Sequence, residues 1–193
     1  MKYTVEREQQ AAVAHVRVLL LADGDTILAS RIKGERLRAA IEAAAGVTPL
    51  VVLDFQGAEA VTPSFFLGGP WGLWEREHVE QCPIIANLPI GAYDDLELIA
   101  RVKRNPLWLG AFLDGVYSEA KLAGDVEGTD RLALLRIFEQ GSATASDMRD
   151  FDPILSITGW NNRLAGLWQR KVLGRRKLGR MFQYFVPWEG RAR

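Results

Sequence analysis

Short apolar runs alternate with amphipathic stretches over the first hundred residues. The run AHVRVLLL, residues 14–21, is rich in Val and Leu and predicts a strand ending at the turn signal Asp23-Gly24-Asp25. A shorter apolar stretch, Thr26–Ala29, fits a second strand. Gly34 then precedes ERLRAAIEAAAG, where Leu37, Ala40, Ile41 and Ala44 share one helical face and Gly46 is the stop. LVVLDF, residues 50–55, is continuously apolar and predicts a central strand covered on both faces. Beyond the turn at Gln56-Gly57, Ser64 offers a helix cap, Gly68-Gly69-Pro70 an interruption, and Pro70 the first turn of a renewed helix through Val79. Pro83–Leu88 predicts another buried strand. Asp94–Arg104 predicts an amphipathic helix with Leu96, Ile99, Ala100 and Lys103 along one side.

Residues 105–128 carry a weaker pattern. Trp108, Leu109, Phe112 and Leu113 are apolar enough for a helix, and Val116–Leu122 fits either an edge strand or a linker. From Thr129 the pattern becomes three helices and a basic hairpin. Asp130 can cap a helix containing Leu132, Leu135, Ile137 and Phe138, with Gly141 as its stop. Thr144 and Asp147 fit a capping box variant for a second helix. Ser156 or Thr158 caps a third, running to about Val172. The last stretch pairs a basic turn, Arg175–Arg180, with the aromatic run Met181–Val186, and predicts a β-hairpin. The expectation is an α/β chain in two parts, residues 1–124 and 125–193.

Composition and charge change this picture in one respect. The balance of 48% hydrophobic and 25% charged residues is globular. No apolar run reaches about 18 residues, so no membrane partner is expected. The polar start, Met1–Gln10 with Glu6 and Glu8, lacks the apolar core of a secretory signal. One cysteine, Cys82, and two histidines, His15 and His78, leave little for a disulfide or a metal. A cytoplasmic setting without a cofactor is the expectation. The formal net charge of zero hides an asymmetry: residues 157–193 hold nine basic side chains against the single acid Glu189. That last fifth of the chain favours polyanions.

Two stretches of the chain carry a resemblance. LDFQGAEAVTPSFF, residues 53–66, resembles the STAS-like modules related to anti-sigma-factor antagonists, in which a central strand ends in an Asp and a loop leads to a serine opening a helix. SRIKGERLRAAIE, residues 30–42, looks like the helix that leads into it, and the match spans roughly residues 14–104. The resemblance implies a mixed sheet with helices, a partner protein, and Ser64 as the matching phosphoacceptor with Asp54 beside the site. Thr62-Pro63-Ser64-Phe65 departs from the usual Asp-Ser-Ser-Gly. ITGWNNRLAGLWQRKVLGRRKLGRMFQY resembles the third helix and wing of a winged-helix DNA-binding module covering about residues 129–188.

The residues themselves support a polyanion reading of that segment. On the third helix Trp160, Leu164, Leu167 and Trp168 form an apolar stripe, while Thr158, Asn162, Ala165, Gly166 and Gln169 lie opposite it. Small and amide side chains suit base edges in a major groove, and Arg163 and Arg170 at the border suit phosphates. Arg175, Arg176, Lys177 and Arg180 cluster around Gly174 and Gly179, as a phosphate-contacting wing would. Gly68-Gly69-Pro70-Trp71-Gly72 lacks the Lys-Ser/Thr of a nucleotide phosphate loop. Asp94-Asp95 and Glu75/Glu77 are not spaced as a catalytic carboxylate pair, so no enzyme is expected. Two readings stand: a regulator whose winged helix binds duplex DNA while the STAS-like part senses a partner, and a protein–protein switch whose winged helix docks a protein. A two-fold duplex site would call for a homodimer, though no dedicated dimerisation helix is visible.

Overall fold

The two continuously apolar runs lie side by side at the centre of a five-stranded sheet. The computed structural model describes residues 13–77, 80–126 and 128–187. Expectations on the polar start, His78, the helix end at Val79, Glu189, Arg191 and Arg193 fall outside those residues. Along the chain come β1 (Val13–Arg17), α1 (Val18–Leu21), β2 (Ile27–Leu28), α2 (Arg31–Ala45), β3 (Leu50–Asp54), β4 (Ala60–Val61), α3 (Pro63–Gly68), α4 (Gly72–Glu75) and β5 (Cys82–Ala86). There follow α5 (Tyr93–Lys103), β6 (Leu107–Leu113), β7 (Val116–Ala123), α6 (Gly128–Gln140), β8 (Ser142–Thr144), α7 (Ala145–Phe151), α8 (Ile157–Gln169), β9 (Gly174–Leu178) and β10 (Met181–Phe185). No helix among the described residues is long and apolar enough to cross a membrane.

The large sheet has the order β1-β3-β5-β6-β7, parallel except for the antiparallel β6–β7 pair. The first four strands run one way across the sheet, so right-handed crossovers bring their helices to one face. Val51, Leu53, Ile85, Leu107 and Leu109 point to that face and pack with Ile41, Phe65, Phe66, Leu96 and Ile99. The alternate residues Leu50, Val52, Cys82, Ile84, Ala86 and Trp108 point the other way, into a second core. Its remaining members come from the C-terminal segment: Ala133, Leu134, Ile137, Met148, Trp160, Leu164, Leu167 and Tyr184 among them. Both faces of β3 and β5 are therefore dry, which explains why those strands are apolar at consecutive positions. The molecule is a mixed α/β protein in three layers.

Several local expectations change for identifiable reasons. The predicted strand 14–21 stops at Arg17, because its neighbour β3 ends opposite it at Asp54 and no further pairing exists. Val18–Leu21 turns helical instead. α2 starts at Arg31 under a Ser30 cap, with Gly34 inside it. Gly34 is there because α3 crosses against it: an added Cβ would lie 2.3 Å from the Phe65 carbonyl oxygen, and one at Gly69 would lie 2.7 Å from that of Gly34. Ser64 does not cap α3. Thr62 does, its Oγ1 accepting from the Phe65 N–H at 3.3 Å, with Pro63 at the first helical position. The renewed helix after Pro70 lasts four residues. Residues 108–113 form strand β6 rather than a helix, and Val116–Ala123 is an edge strand, not a linker. The Asp114-Gly115 turn joins them with φ of 50° and 81°, the positive pair that a two-residue hairpin requires.

In the C-terminal layer, helix, strand, helix, helix and hairpin follow one another, with β8, β10 and β9 forming a small antiparallel sheet. The capping box of Thr144 and Asp147 is present, and Ser156 rather than Thr158 caps α8. α8 ends at Gln169, short of Val172. Asp130 sits within the first turn of α6 instead of capping it, and that helix buries Ala133, Leu134 and Ile137 while Leu135 and Phe138 stay exposed. The loop leaving α8 is pinned to the first part of the chain. Cys82 Sγ–H donates to the Lys171 carbonyl at 2.8 Å and Trp108 Nε1–H to that of Val172 at 2.7 Å. Lys171 Nζ donates to the carbonyls of Leu73 (2.6 Å) and Arg76 (2.9 Å). The chain crosses between layers just beyond Ala123, and the segments on either side share one core.

Candidate nucleic-acid interface

The side chains of α8 divide as an amphipathic helix must. Trp160, Leu164 and Leu167 are fully buried, and Trp160 Nε1–H donates to the Asp152 carbonyl at 2.9 Å, fixing the rotation of the helix. At about 100° per residue this turns Thr158, Asn161, Asn162 and Gln169 outward, and all four are exposed. Ala165, between them, keeps the surface low. Asn161 extends the face beyond the residues that the sequence singles out; its place next to Asn162 and one turn before Ala165 is the signal that marks it.

The cations around this face are not equally free. Arg170 Nη2 binds Asp130 Oδ2 at 2.5 Å, and Arg163 Nη1 lies 3.8 Å from Asp130 Oδ1. Arg170 is thus a brace between α8 and α6, whereas Arg163 remains more than half exposed. Arg175 is held harder still. Its guanidinium carbon lies 3.3 Å from the Trp168 ring centroid and 4.4 Å from that of Phe182, and its Nη2 donates to Glu80 Oε1 at 2.7 Å. With 19% of its side chain exposed, Arg175 locks the hairpin to α8 and to the segment before β5. The structure gives it no free face for a phosphate.

The sequence matches no family model, and comparisons with curated proteins and with solved structures found no match.

Farther along the hairpin the cations are available. Arg176 is exposed and donates through Nε to Gln183 Oε1 at 2.8 Å, and Gln183 in turn donates to Ser142 Oγ at 2.9 Å, so its stem is oriented. Lys177 and Arg180 are exposed on either side of Gly179, whose φ of 60° makes the two-residue turn. Gln169, at the far end of α8, lines a crevice with Arg76, Glu77, Glu80 and Trp168. That crevice also holds Lys171, so its two acids are offset by two cations and Gln169 faces no net positive field there. The structure therefore brings Thr158, Asn161, Asn162 and Arg163 together on α8, with Arg176, Lys177 and Arg180 on the hairpin, and sets Gln169, Arg170 and Arg175 in other surroundings.

Ser64 and Asp54 are not neighbours. Ser64 is exposed at the start of α3, its Oγ 3.1 Å from Thr62 Oγ1. Asp54 ends β3 on the opposite face of the sheet, following the alternation of Leu50 and Val52 into the second core. It is 3% exposed. Its Oδ1 accepts from the Gln56 N–H at 2.9 Å and from Asn87 Nδ2 at 2.8 Å, and its Oδ2 is paired with His15 Nε2 at 2.8 Å. The sequence does not single out His15 as a site residue, since a histidine on an apolar strand gives no signal until its cross-strand neighbours are known.

Proposed function

We propose that the chain is a DNA-binding regulator: a STAS-like α/β module whose second face carries a winged-helix module. Two features support the winged-helix reading. One is the order helix, strand, helix, helix, strand, strand, and the other is the small sheet in which the hairpin strand β10 pairs with β8. The one-way parallel strands and the helix opening at Pro63 support the STAS-like reading, with exposed Ser64 as its partner-sensing residue. The observation that carries the function is the outward face of α8, Thr158, Asn161 and Asn162, flanked by exposed Arg163 and by the hairpin cations Arg176, Lys177 and Arg180. Amides and a hydroxyl on a helix of major-groove width read base edges, and cations at the border hold phosphates. Gln169, Arg170 and Arg175, held in other surroundings, are not part of this DNA-facing set.

Fluorescence anisotropy of a labelled duplex across a salt series tests this. Changing Arg176, Lys177 and Arg180 together to Ala should lower the log–log salt slope by about 0.9 for each phosphate no longer neutralised, close to 2.7 for three. Asn162→Ala should cost about 1–3 kcal/mol on a preferred sequence and little on random DNA. A folded protein without duplex affinity at low salt defeats the reading.

A second reading, docking of a partner protein, is favoured by one feature. Leu135 and Phe138 are exposed on α6 and, with Trp108, Leu122 and Val126, line an apolar groove beside β7.

A further inference from the structure

The C-terminal layer does not cover the whole second face of the sheet. At the carboxyl ends of β1 and β3 an open groove remains, lined by Val13, His15, Arg17, Asp54, Phe112 and Asp114 among others. Its lining runs along β1 from Val13 to Arg17 and across to the β6–β7 turn. This groove also contains an oriented polar chain. The Phe112 N–H donates to Asn87 Oδ1 at 3.0 Å and Asn87 Nδ2 donates to the Phe112 carbonyl at 2.9 Å, so the amide is fixed from both ends. Asn87 Nδ2 and the Gln56 N–H hold Asp54 Oδ1, and Asp54 Oδ2 holds His15. Asn87 takes a left-handed φ of 57° to do this.

We propose that this groove binds a phosphate monoester carrying an apolar organic group, with His15 and Arg17 as its recognition pair. Asp54 Oδ2 engages His15 Nε2, which leaves Nδ1 as the ring nitrogen open to a ligand. His15 is 37% exposed, against 2% for the Asp54 side chain, so the carboxylate is the buried partner and the imidazole the presented one. Its ring is tilted against Phe112 at a centroid distance of 4.6 Å, which limits its rotation. Arg17 stands two residues along the same strand and is exposed, with no ion pair among the described residues. Its planar fork matches two phosphate oxygens. The third oxygen of a monoester is left for His15 Nδ1. A carboxylate has only two oxygens and leaves none for His15 once the Arg17 fork is filled, and this favours the phosphate. Val13 and Phe112 provide an apolar wall for the organic group. Asp114, on the hairpin turn at the other rim, repels the anionic end and so orients the ligand toward Arg17. This groove lies at the sheet edge and does not depend on the DNA-binding reading.

The test uses the full chain with 15N-labelled histidine. Long-range 1H–15N spectra follow His15 Nδ1 during titration with phenyl phosphate, inorganic phosphate and benzoate. His78, the other histidine of the chain, is the internal comparison. Phenyl phosphate should move the His15 signal saturably and leave that of His78 in place, and inorganic phosphate and benzoate should bind at least ~10-fold more weakly, a difference of about 1.4 kcal/mol. Arg17→Gln, a change at an exposed position, should weaken phenyl phosphate by a similar factor with an unchanged circular dichroism spectrum. No saturable shift with phenyl phosphate overturns the proposal. So does full affinity in folded Arg17→Gln, or equal binding of benzoate.

Discussion

Two glycines in helices should respond to the same substitution with opposite sign. Gly34 lies inside α2 where α3 crosses it, and Gly166 lies inside α8. An alanine Cβ at position 34 would stand 2.3 Å from the Phe65 carbonyl oxygen, 2.9 Å from the Gly69 nitrogen and 3.2 Å from the Gly68 carbonyl carbon. All three are backbone atoms, so no side-chain rotation relieves the overlap. The helices must separate by about 1 Å, and Phe65 and Phe66 leave their packed positions; overpacking against backbone atoms falls in the upper part of the usual range, about 2–3 kcal/mol. Intrinsic helix propensity acts against this by up to about 1 kcal/mol, the gain of Ala over Gly in a helix interior. The net expectation for Gly34→Ala is a loss of about 1–2 kcal/mol. At Gly166 nothing lies within 4 Å of the added Cβ, so only the propensity gain remains and stability should rise by up to about 1 kcal/mol. Urea unfolding of both variants, with the slope checked for constancy, measures the difference. A Gly34→Ala protein as stable as the parent would refute the close crossing of α2 and α3.

Three further outcomes are expected. Burial, and then the positive charge of Arg76, lower the Lys171 pKa to about 8 from its ordinary 10.5. Between pH 8 and 10.5 the unfolded chain holds more protons on this amine than the folded chain, so its contribution to stability rises with pH across that window. The rise is at most about 3 kcal/mol. Buried Cys82, whose pKa is raised by burial, has the reverse effect above the ordinary thiol range. The comparison must therefore be the parent minus Lys171→Met at about pH 7, 9 and 10, and a pH-independent difference would contradict the burial of the amine. Arg175→Ala should lower stability by about 1–2 kcal/mol through removal of the Trp168–Phe182 sandwich and the Glu80 contact, whereas Lys177→Ala should stay within about 0.5 kcal/mol; equal effects in urea unfolding would remove the brace. Ser64→Asp should leave the unfolding midpoint close to that of the parent, because the hydroxyl is exposed and Thr62 carries the cap; a large drop would show Ser64 to be a packing residue.

What is legible in the sequence is what local chemistry decides. β3, β5 and α5 follow from apolar runs and helical spacing, and the Thr144–Asp147 box follows from cap chemistry. The hairpin is also legible, but of its expected turn Arg175–Arg180 only Gly179-Arg180 turns, the rest being strand β9. β6 is ambiguous because Trp108, Leu109, Phe112 and Leu113 happen to repeat at helical spacing. Its period of two is hidden where Leu107, Trp108 and Leu109 are all buried, alternately in the first and second cores. The Asp114-Gly115 turn is the signal that resolves it. The amide-bearing face of α8 and the hairpin cations Arg176, Lys177 and Arg180 are exposed, as their sequence pattern implies. The charges of Arg170 and Arg175 mislead for a non-local reason: their partners Asp130 and Glu80 stand 40 and 95 positions earlier in the chain. His15 and Asp54 are 39 positions apart and become a pair only through the β1–β3 register.

The shared second core decides how far the two parts of the chain can be treated separately. Proteolysis in the exposed crossing near Asp125 would sever the backbone without touching the contacts of Cys82, Trp108 and Lys171 with the loop after α8 and with Leu73 and Arg76. Leu50, Val52, Ile84 and Trp108 would still fill the core beneath α6 and α8. At about 1.5–3 kcal/mol for each large side chain, their burial contributes on the order of 6–12 kcal/mol. That is comparable to the whole stability of an ordinary domain. The nicked halves should therefore stay together through gel filtration and part only in denaturant. Residues 125–193 expressed alone should lack a cooperative unfolding transition, because one side of that core would face water. If the nicked halves separate under native conditions and the C-terminal one unfolds cooperatively, the second core is not shared. α8 and its hairpin would then be an independent module. If they remain together, the orientation of α8 is set by the sheet, through the pinned loop at Lys171 and Val172.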